Sequence, residues 1–108
     1  MTDISDLEAL AWLEPWELLP KERRPALERE LRRELCAEHV LFGRDCVAVA
    51  SRGDRDDVLF LVDGAQLVVV HLTWNEETDP GWPSTHRVAD LDAFEVEMKR
   101  DNEGFLDF

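Results

Sequence analysis

The stretch on which the fold turns runs Asp56-Asp57-Val58-Leu59-Phe60-Leu61-Val62, Asp63-Gly64-Ala65-Gln66, then Leu67-Val68-Val69-Val70-His71-Leu72-Thr73-Trp74. Its two apolar runs are rich in β-branched and aromatic residues and too short for stable helices, so they read as strands. Asp63-Gly64 between them supplies two residues that take positive φ cheaply, as a two-residue hairpin turn requires. That turn predicts Val62 opposite Ala65, Phe60 opposite Leu67, Val58 opposite Val69 and Asp56 opposite His71. Side chains alternate along a strand, which predicts one face of Val58, Phe60, Val62, Leu67, Val69 and His71. The other face would hold Leu59, Leu61, Val68, Val70, Leu72 and Trp74.

Neither face is polar, whereas an antiparallel sheet with one wet side alternates apolar and polar residues. The hairpin therefore has to be covered twice, by helices on both sides or by a helix and a partner copy in a homodimer.

The remaining composition sets bounds. A chain of 108 residues, 44% hydrophobic and 34% charged, matches one globular domain over residues 1–108 with a core that needs no staples. No apolar run approaches the roughly 18 residues of a membrane span, and the first residues lack a signal-peptide pattern. A cytoplasmic, bacterial-type protein is the expectation, with Cys36 and Cys46 kept as thiols. The net charge of −13, from 25 acidic and 12 basic side chains, argues against direct binding to nucleic acid or an anionic membrane. It leaves open a basic protein partner, including a nucleic-acid-binding protein whose surface this chain would occupy. It also keeps an oily sheet soluble.

Around the hairpin, the chain reads as helices, strands and a closing helix. Ser5 as N-cap with Glu8 predicts a first helix carrying Ile4, Leu7, Leu10 and Ala11 inward and stopped by Pro15 near Leu13 or Glu14. Trp16, Leu18 and Leu19 form an apolar connector. A second helix starts at Pro25, with Leu27, Leu31 and Leu35 on one side and a Glu28–Arg32 pair on the other. Cys46 to Ser51 predicts a strand whose small residues Cys46, Ala48 and Ala50 share a face close to a helix. Asn75 to Gly81 is a loop, and Thr85 to Val88 is a short edge strand. Asp90 caps a last helix with Leu91, Phe94 and Met98 inward and Glu95–Lys99 exposed. The tail from Asn102 frays, with Phe105, Leu106 and Phe108 able to fold back.

Asp56-Asp57-Val58-Leu59-Phe60, Val70-His71-Leu72-Thr73-Trp74 and Trp82-Pro83-Ser84-Thr85 resemble, in that order, a family of small bacterial proteins of uncharacterised function. The resemblance spans roughly residues 36 to 98. It implies the strand order and the closing helix, and it carries no activity. Where the family has Gly-His-Pro-Leu, this chain has Glu38-His39-Val40-Leu41, so the turn leading to the first strand differs.

The candidate chemistry gathers at the end of the hairpin. A carboxylate of Asp56 across the ladder from His71 would orient an imidazole for general acid–base work. Thr73 would share that face, and Trp74 and Trp82 would wall a pocket. The same residues also make good structural caps. Cys36-x-x-His39 lacks the second ligand pair of a structural zinc site, and Asp54-x-Asp56-Asp57 fails as a calcium loop, so no metal and no cofactor is expected. The chain has no glycine-rich phosphate loop, no Gly-x-Ser-x-Gly and no His-Glu-x-x-His. The fold class that follows is α+β: N-terminal helices, a three- to four-stranded antiparallel meander and a C-terminal helix. The leading functional reading is a non-enzymatic protein-binding or accessory module, with an inhibitor or immunity-like role compatible in size and charge. The alternative is a small enzyme or ligand-binding protein with a site at Asp56, His71, Thr73, Trp74 and Trp82.

Overall fold

Strand β1 (Trp16–Leu18) opens a five-stranded antiparallel meander, followed by β2 (Cys46–Arg52), β3 (Asp57–Val62), β4 (Gln66–His71) and β5 (Ser84–Val88), adjacent in that order. Three α-helices flank it: α1 (Ile4–Glu8), α2 (Arg24–Glu34) and α3 (Leu91–Leu106). The computed structural model describes residues 3–106. The fold is α+β, as the sequence implied, with more strands than expected. The additional strand is the apolar connector: Trp16 pairs with Arg52 and Leu18 with Ala50. Among the described residues, no helix is long and apolar enough to cross a membrane.

The hairpin reverses at Asp63-Gly64, both with positive φ, and the Ala65 N–H donates to the Val62 carbonyl at 3.1 Å. Pairing, however, resumes at Gln66 opposite Val62, so Ala65 is left out of the ladder. That one-residue difference moves every β4 side chain to the opposite side of its expected partners. Val58, Phe60 and Val62 now share a face with Val68, Val70 and Leu72, while Leu59 and Leu61 share the other with Leu67 and Val69. Asp57, not Asp56, lies opposite His71.

Both faces are covered within the chain. On one, α1 and α3 deliver Leu7, Phe94 and Met98 against Leu59, Leu61, Leu67 and Val69. On the other, Leu19, Leu31 from α2 and Leu41 from the segment before β2 lie on Val58, Phe60, Val68 and Val70. Every residue of β3 is buried, and each apolar side chain of this size contributes about 1.5–3 kcal/mol by leaving water. No partner copy is needed to cover the hairpin.

Several local expectations are corrected by side-chain bonding. The first helix is capped by Asp3, in a reciprocal box with Asp6, rather than by Ser5, and it ends at Glu8, well before Pro15. A β-bulge between Ala48 and Ala50 separates those two residues onto opposite faces. Glu28, expected to pair with Arg32, instead accepts the Ala48 N–H at 2.9 Å beside that bulge. Helix α3 continues to Leu106, with Asp90 capping the Ala93 N–H, Phe94 and Met98 buried, and Glu95 beside Lys99. Phe105 is half-buried and Leu106 exposed. Phe108 lies outside the described residues.

Candidate functional site

Register across the sheet assembles a polar row at one end of the α3-covered face. Trp16 sits opposite Arg52, the Ser51–Val58 pair brings Arg52 beside Asp57, and Asp57 faces His71, which faces Ser84. The next row inward runs Leu18, Ala50, Leu59, Val69 and His86, and the row beyond it is apolar. Helix α3 reaches this end with Glu97 and Asp101, one and two turns past Phe94. Between helix and sheet lies a cleft of about 560 Å³.

Two histidines border it, each held by a carboxylate. His71 Nδ1 donates to Asp57 Oδ1 at 2.6 Å, since a carboxylate can only accept, and this leaves Nε2 toward solvent. His86 Nε2 donates to Glu97 Oε1, also at 2.6 Å. The Trp16 indole donates to Asp101 at 2.9 Å while its ring packs edge-on against Phe94. Arg52 forks onto Asp54 with two bonds of 2.9 Å and holds that carboxyl below its ordinary range. Arg52 also reaches Asp101 at 3.5 Å. Arg55 touches the cleft more loosely, its Nε 3.6 Å from Asp57, with a side chain 54% exposed.

The residues expected to form one site are divided by the fold. His71 and Trp82 line this cleft. Asp56 does not face His71: it is exposed, offers its carbonyl to the Leu72 N–H, and with Trp74 borders a shallow depression beside Leu27 of α2. Thr73 leaves the ladder after His71, and its N–H and hydroxyl both go to Glu34. The register difference at Ala65 explains Asp56, and the end of β4 at His71 explains Thr73 and Trp74.

Glu34 was not singled out by the sequence, where it sits among the alternating acids and bases of α2. It is fully buried, with one oxygen accepting from Thr73 N (2.8 Å) and Thr73 Oγ1 (3.1 Å) and the other from Trp74 N (2.9 Å). Burial, and then the nearby Glu30, push its carboxyl above the ordinary range. The bond holds Trp74 at φ +60°, a region that bulky residues rarely occupy and that costs about 1–3 kcal/mol. His39 is another buried polar group on this side. Its Nε2 donates to the Pro83 carbonyl at 2.9 Å, and its Nδ1 accepts the Leu41 N–H at 3.0 Å. The loop from Trp74 to Trp82 is thus pinned at both ends.

His39, with both ring nitrogens in use, has none left for a metal. Among the described residues no three His, Cys, Asp or Glu side chains are placed to hold one. Cys36 and Cys46 are free thiols. Burial, then Asp63 and Asp45, push the thiol of the half-buried Cys46 up to about 11, which disfavours its thiolate. Compared with known families, curated proteins and solved structures, the chain matches none. The functional reading therefore stands on the geometry of the loop and the cleft.

Proposed function

We propose that the chain is a non-enzymatic binding module that meets a basic protein partner through the loop from Trp74 to Trp82. The observation that carries this reading is Trp74: 50% exposed, yet fixed in a costly backbone conformation by a fully buried carboxylate. A protein gains nothing in core stability from holding an aromatic ring in water at that cost. Trp82, 48% exposed, stands at the other end of the loop, and tryptophans of this kind anchor protein interfaces. Between them lie Glu76, Glu77 and Asp79, none of which takes part in an ion pair among the described residues. Rigid aromatic anchors around unpaired acids suit a surface rich in Lys and Arg, and the net charge of −13 would speed the encounter. An inhibitor that occupies the basic face of another protein is the simplest form of this role.

The test is affinity capture from the native host with the wild-type chain and with Glu76→Lys/Glu77→Lys and Trp74→Ala variants. A stoichiometric partner retained by the wild type should be lost by both variants while their melting temperatures stay within a few degrees of it. Capture that is indifferent to both changes would refute the loop as the binding surface. A second reading, a ligand-binding protein or small enzyme, is favoured by one observation: the Asp57–His71 pair faces a cleft rather than the core.

A further inference from the structure

Two carboxylates that line the cleft are only half answered. Asp57 is 7% exposed; its Oδ1 takes the His71 bond, and its Oδ2 has no hydrogen bond among the described residues. Arg55 Nε stands 3.6 Å from that oxygen, beyond hydrogen-bond length, on a side chain that is 54% exposed. Glu97 repeats the pattern, with Oε1 on His86 and no hydrogen bond to Oε2. The remaining nitrogens, His71 Nε2 and His86 Nδ1, are acceptors in a neutral ring whose other nitrogen donates to a carboxylate. Arg52 lines the same cleft but is committed to Asp54 and Asp101. With those partners included, four carboxylates (Asp54, Asp57, Glu97 and Asp101) stand against the two guanidinium groups of Arg52 and Arg55. A carboxylate nine-tenths buried with one oxygen unbonded, beside an open volume with an excess of negative charge, calls for a cation that donates hydrogen bonds.

We propose that the cleft takes a primary ammonium, the tip of a lysine side chain on the basic partner, between Asp57 and Glu97. This rests on the reading of the chain as the binder of such a partner, and it names the group that enters beside the loop. An ammonium is a compact donor of three separate hydrogen bonds, whereas a guanidinium presents a planar fork matched to both oxygens of one carboxylate. Asp57 and Glu97 each have a single oxygen left, so the point donor fits and the fork does not. Trp82, 48% exposed, walls the cleft and also ends the loop. Its ring gives the apolar stem of the lysine a face to lie along while the charged tip passes inward.

The experiment uses the full chain labelled with ¹⁵N and follows its four indole N–H signals during titration with Nα-acetyl-lysine amide, and separately with its norleucine and arginine counterparts. The Trp82 signal should move saturably with the lysine probe, with a dissociation constant on the order of millimolar for one side chain held by a few charged bonds. Trp12, whose indole is bonded to the Leu7 carbonyl, should stay still. The norleucine probe, with the stem but no charge, should not saturate, and the arginine probe should bind more weakly than lysine. Glu97→Gln keeps an oxygen for His86 and turns an amide N–H₂ toward the cleft in place of the free carboxylate oxygen. It should weaken the lysine probe, and the captured partner, about tenfold or more, the loss of a hydrogen bond to a charged group. Glu97 lies on a partly exposed face of α3, so that variant keeps its fold, which its amide spectrum checks. Linear drift of all four indoles, equal saturation by norleucine, tighter binding of arginine or an unchanged affinity in Glu97→Gln overturns the site. Weakening of the probe with the partner's affinity untouched overturns the assignment to a partner lysine and leaves a site for a free amine. The Glu76→Lys/Glu77→Lys variant should keep saturable binding of the lysine probe, so loss of the partner at the loop and loss of the ammonium in the cleft are separable results.

Discussion

The two faces of the sheet use the same residue types to opposite ends. On the α2 side, Glu34 and His39 are buried and every polar atom they bring is answered: three donors on Glu34, one donor and one acceptor on His39. On the α3 side, His71 and His86 are each answered once, by Asp57 and Glu97, and each keeps a nitrogen in reserve. A saturated polar network is scaffold, since it rigidifies one arrangement and has nothing left to offer. A half-used one at the mouth of a cleft is available to something else. The comparison separates fully bonded polar groups from partly bonded ones without reference to residue type.

Glu34→Ala should give the largest effect. It leaves the Thr73 and Trp74 N–H groups without their buried acceptor, at about 1–3 kcal/mol for each unsatisfied donor, while the Thr73 hydroxyl keeps the Asn75 carbonyl. A loss of about 3 kcal/mol or more in urea unfolding is expected, together with release of Trp74 from its positive φ. The indole signal of Trp74 should then narrow and move toward its solvent-exposed position. A variant as stable as the wild type would mean that the saturated network is not what holds the loop, and the contrast between the faces would fail.

His71→Ala sharpens the contrast from the other side. The imidazole is 40% exposed and bonds only Asp57, and Asp57 keeps Arg55 nearby once the ring is gone. The expected cost is about 1 kcal/mol or less, in the range of partly exposed charge pairs. If this substitution cost as much as Glu34→Ala, His71 would belong to the scaffold after all.

How much of this was legible in the sequence follows from what each feature depends on. The hairpin, its reversal at Asp63-Gly64 and the need for two covering layers are properties of local pattern, and periodicity reports them directly. The closing helix was equally plain, because Asp90, Phe94 and Met98 fall at capping and core spacings. The pairing of Asp57 with His71 was out of reach, because it hangs on whether Ala65 joins the ladder, and the turn type tolerates both outcomes. One residue there moved the site's carboxylate from Asp56 to Asp57. Glu34 was hidden for a different reason. Helical spacing puts it on the stripe of Leu27 and Leu31, but an acid there reads as the polar edge of that stripe, and its burial comes from where the chain after β4 passes. Strand β1 escaped notice because three residues are too few for a periodic pattern, and its partner, Arg52, lies far along the chain. The split of the candidate residues between two faces is thus a tertiary fact, built on one hairpin register.

The smallest expected effect lies at that hairpin's turn. Asp63 accepts from Arg44 at 2.8 Å and from the Asp45 N–H at 3.0 Å, tying the reversal to the start of β2. The Arg44 bond first, then the Asp45 N–H, hold the Asp63 carboxyl below its ordinary value of 3.8. A lowered carboxyl binds its proton less readily when folded than when unfolded, so its contribution is present above the ordinary range and disappears as pH falls through the lowered value. Glu34 has the opposite sign: its raised carboxyl favours the fold below the ordinary glutamate range, and that contribution fades as pH rises. Asp63→Asn keeps a residue that tolerates positive φ and can still accept the Asp45 N–H, while removing the charge that Arg44 meets. Near neutral pH the variant should melt a few degrees below the wild type at most, since the pair is half-exposed. As pH falls below the ordinary aspartate range and through the lowered carboxyl, the two melting temperatures should converge, because the wild-type carboxyl is then losing its charge as well. A gap that persists undiminished in acid would show that the turn's geometry, and not the ion pair, sets the register at Ala65.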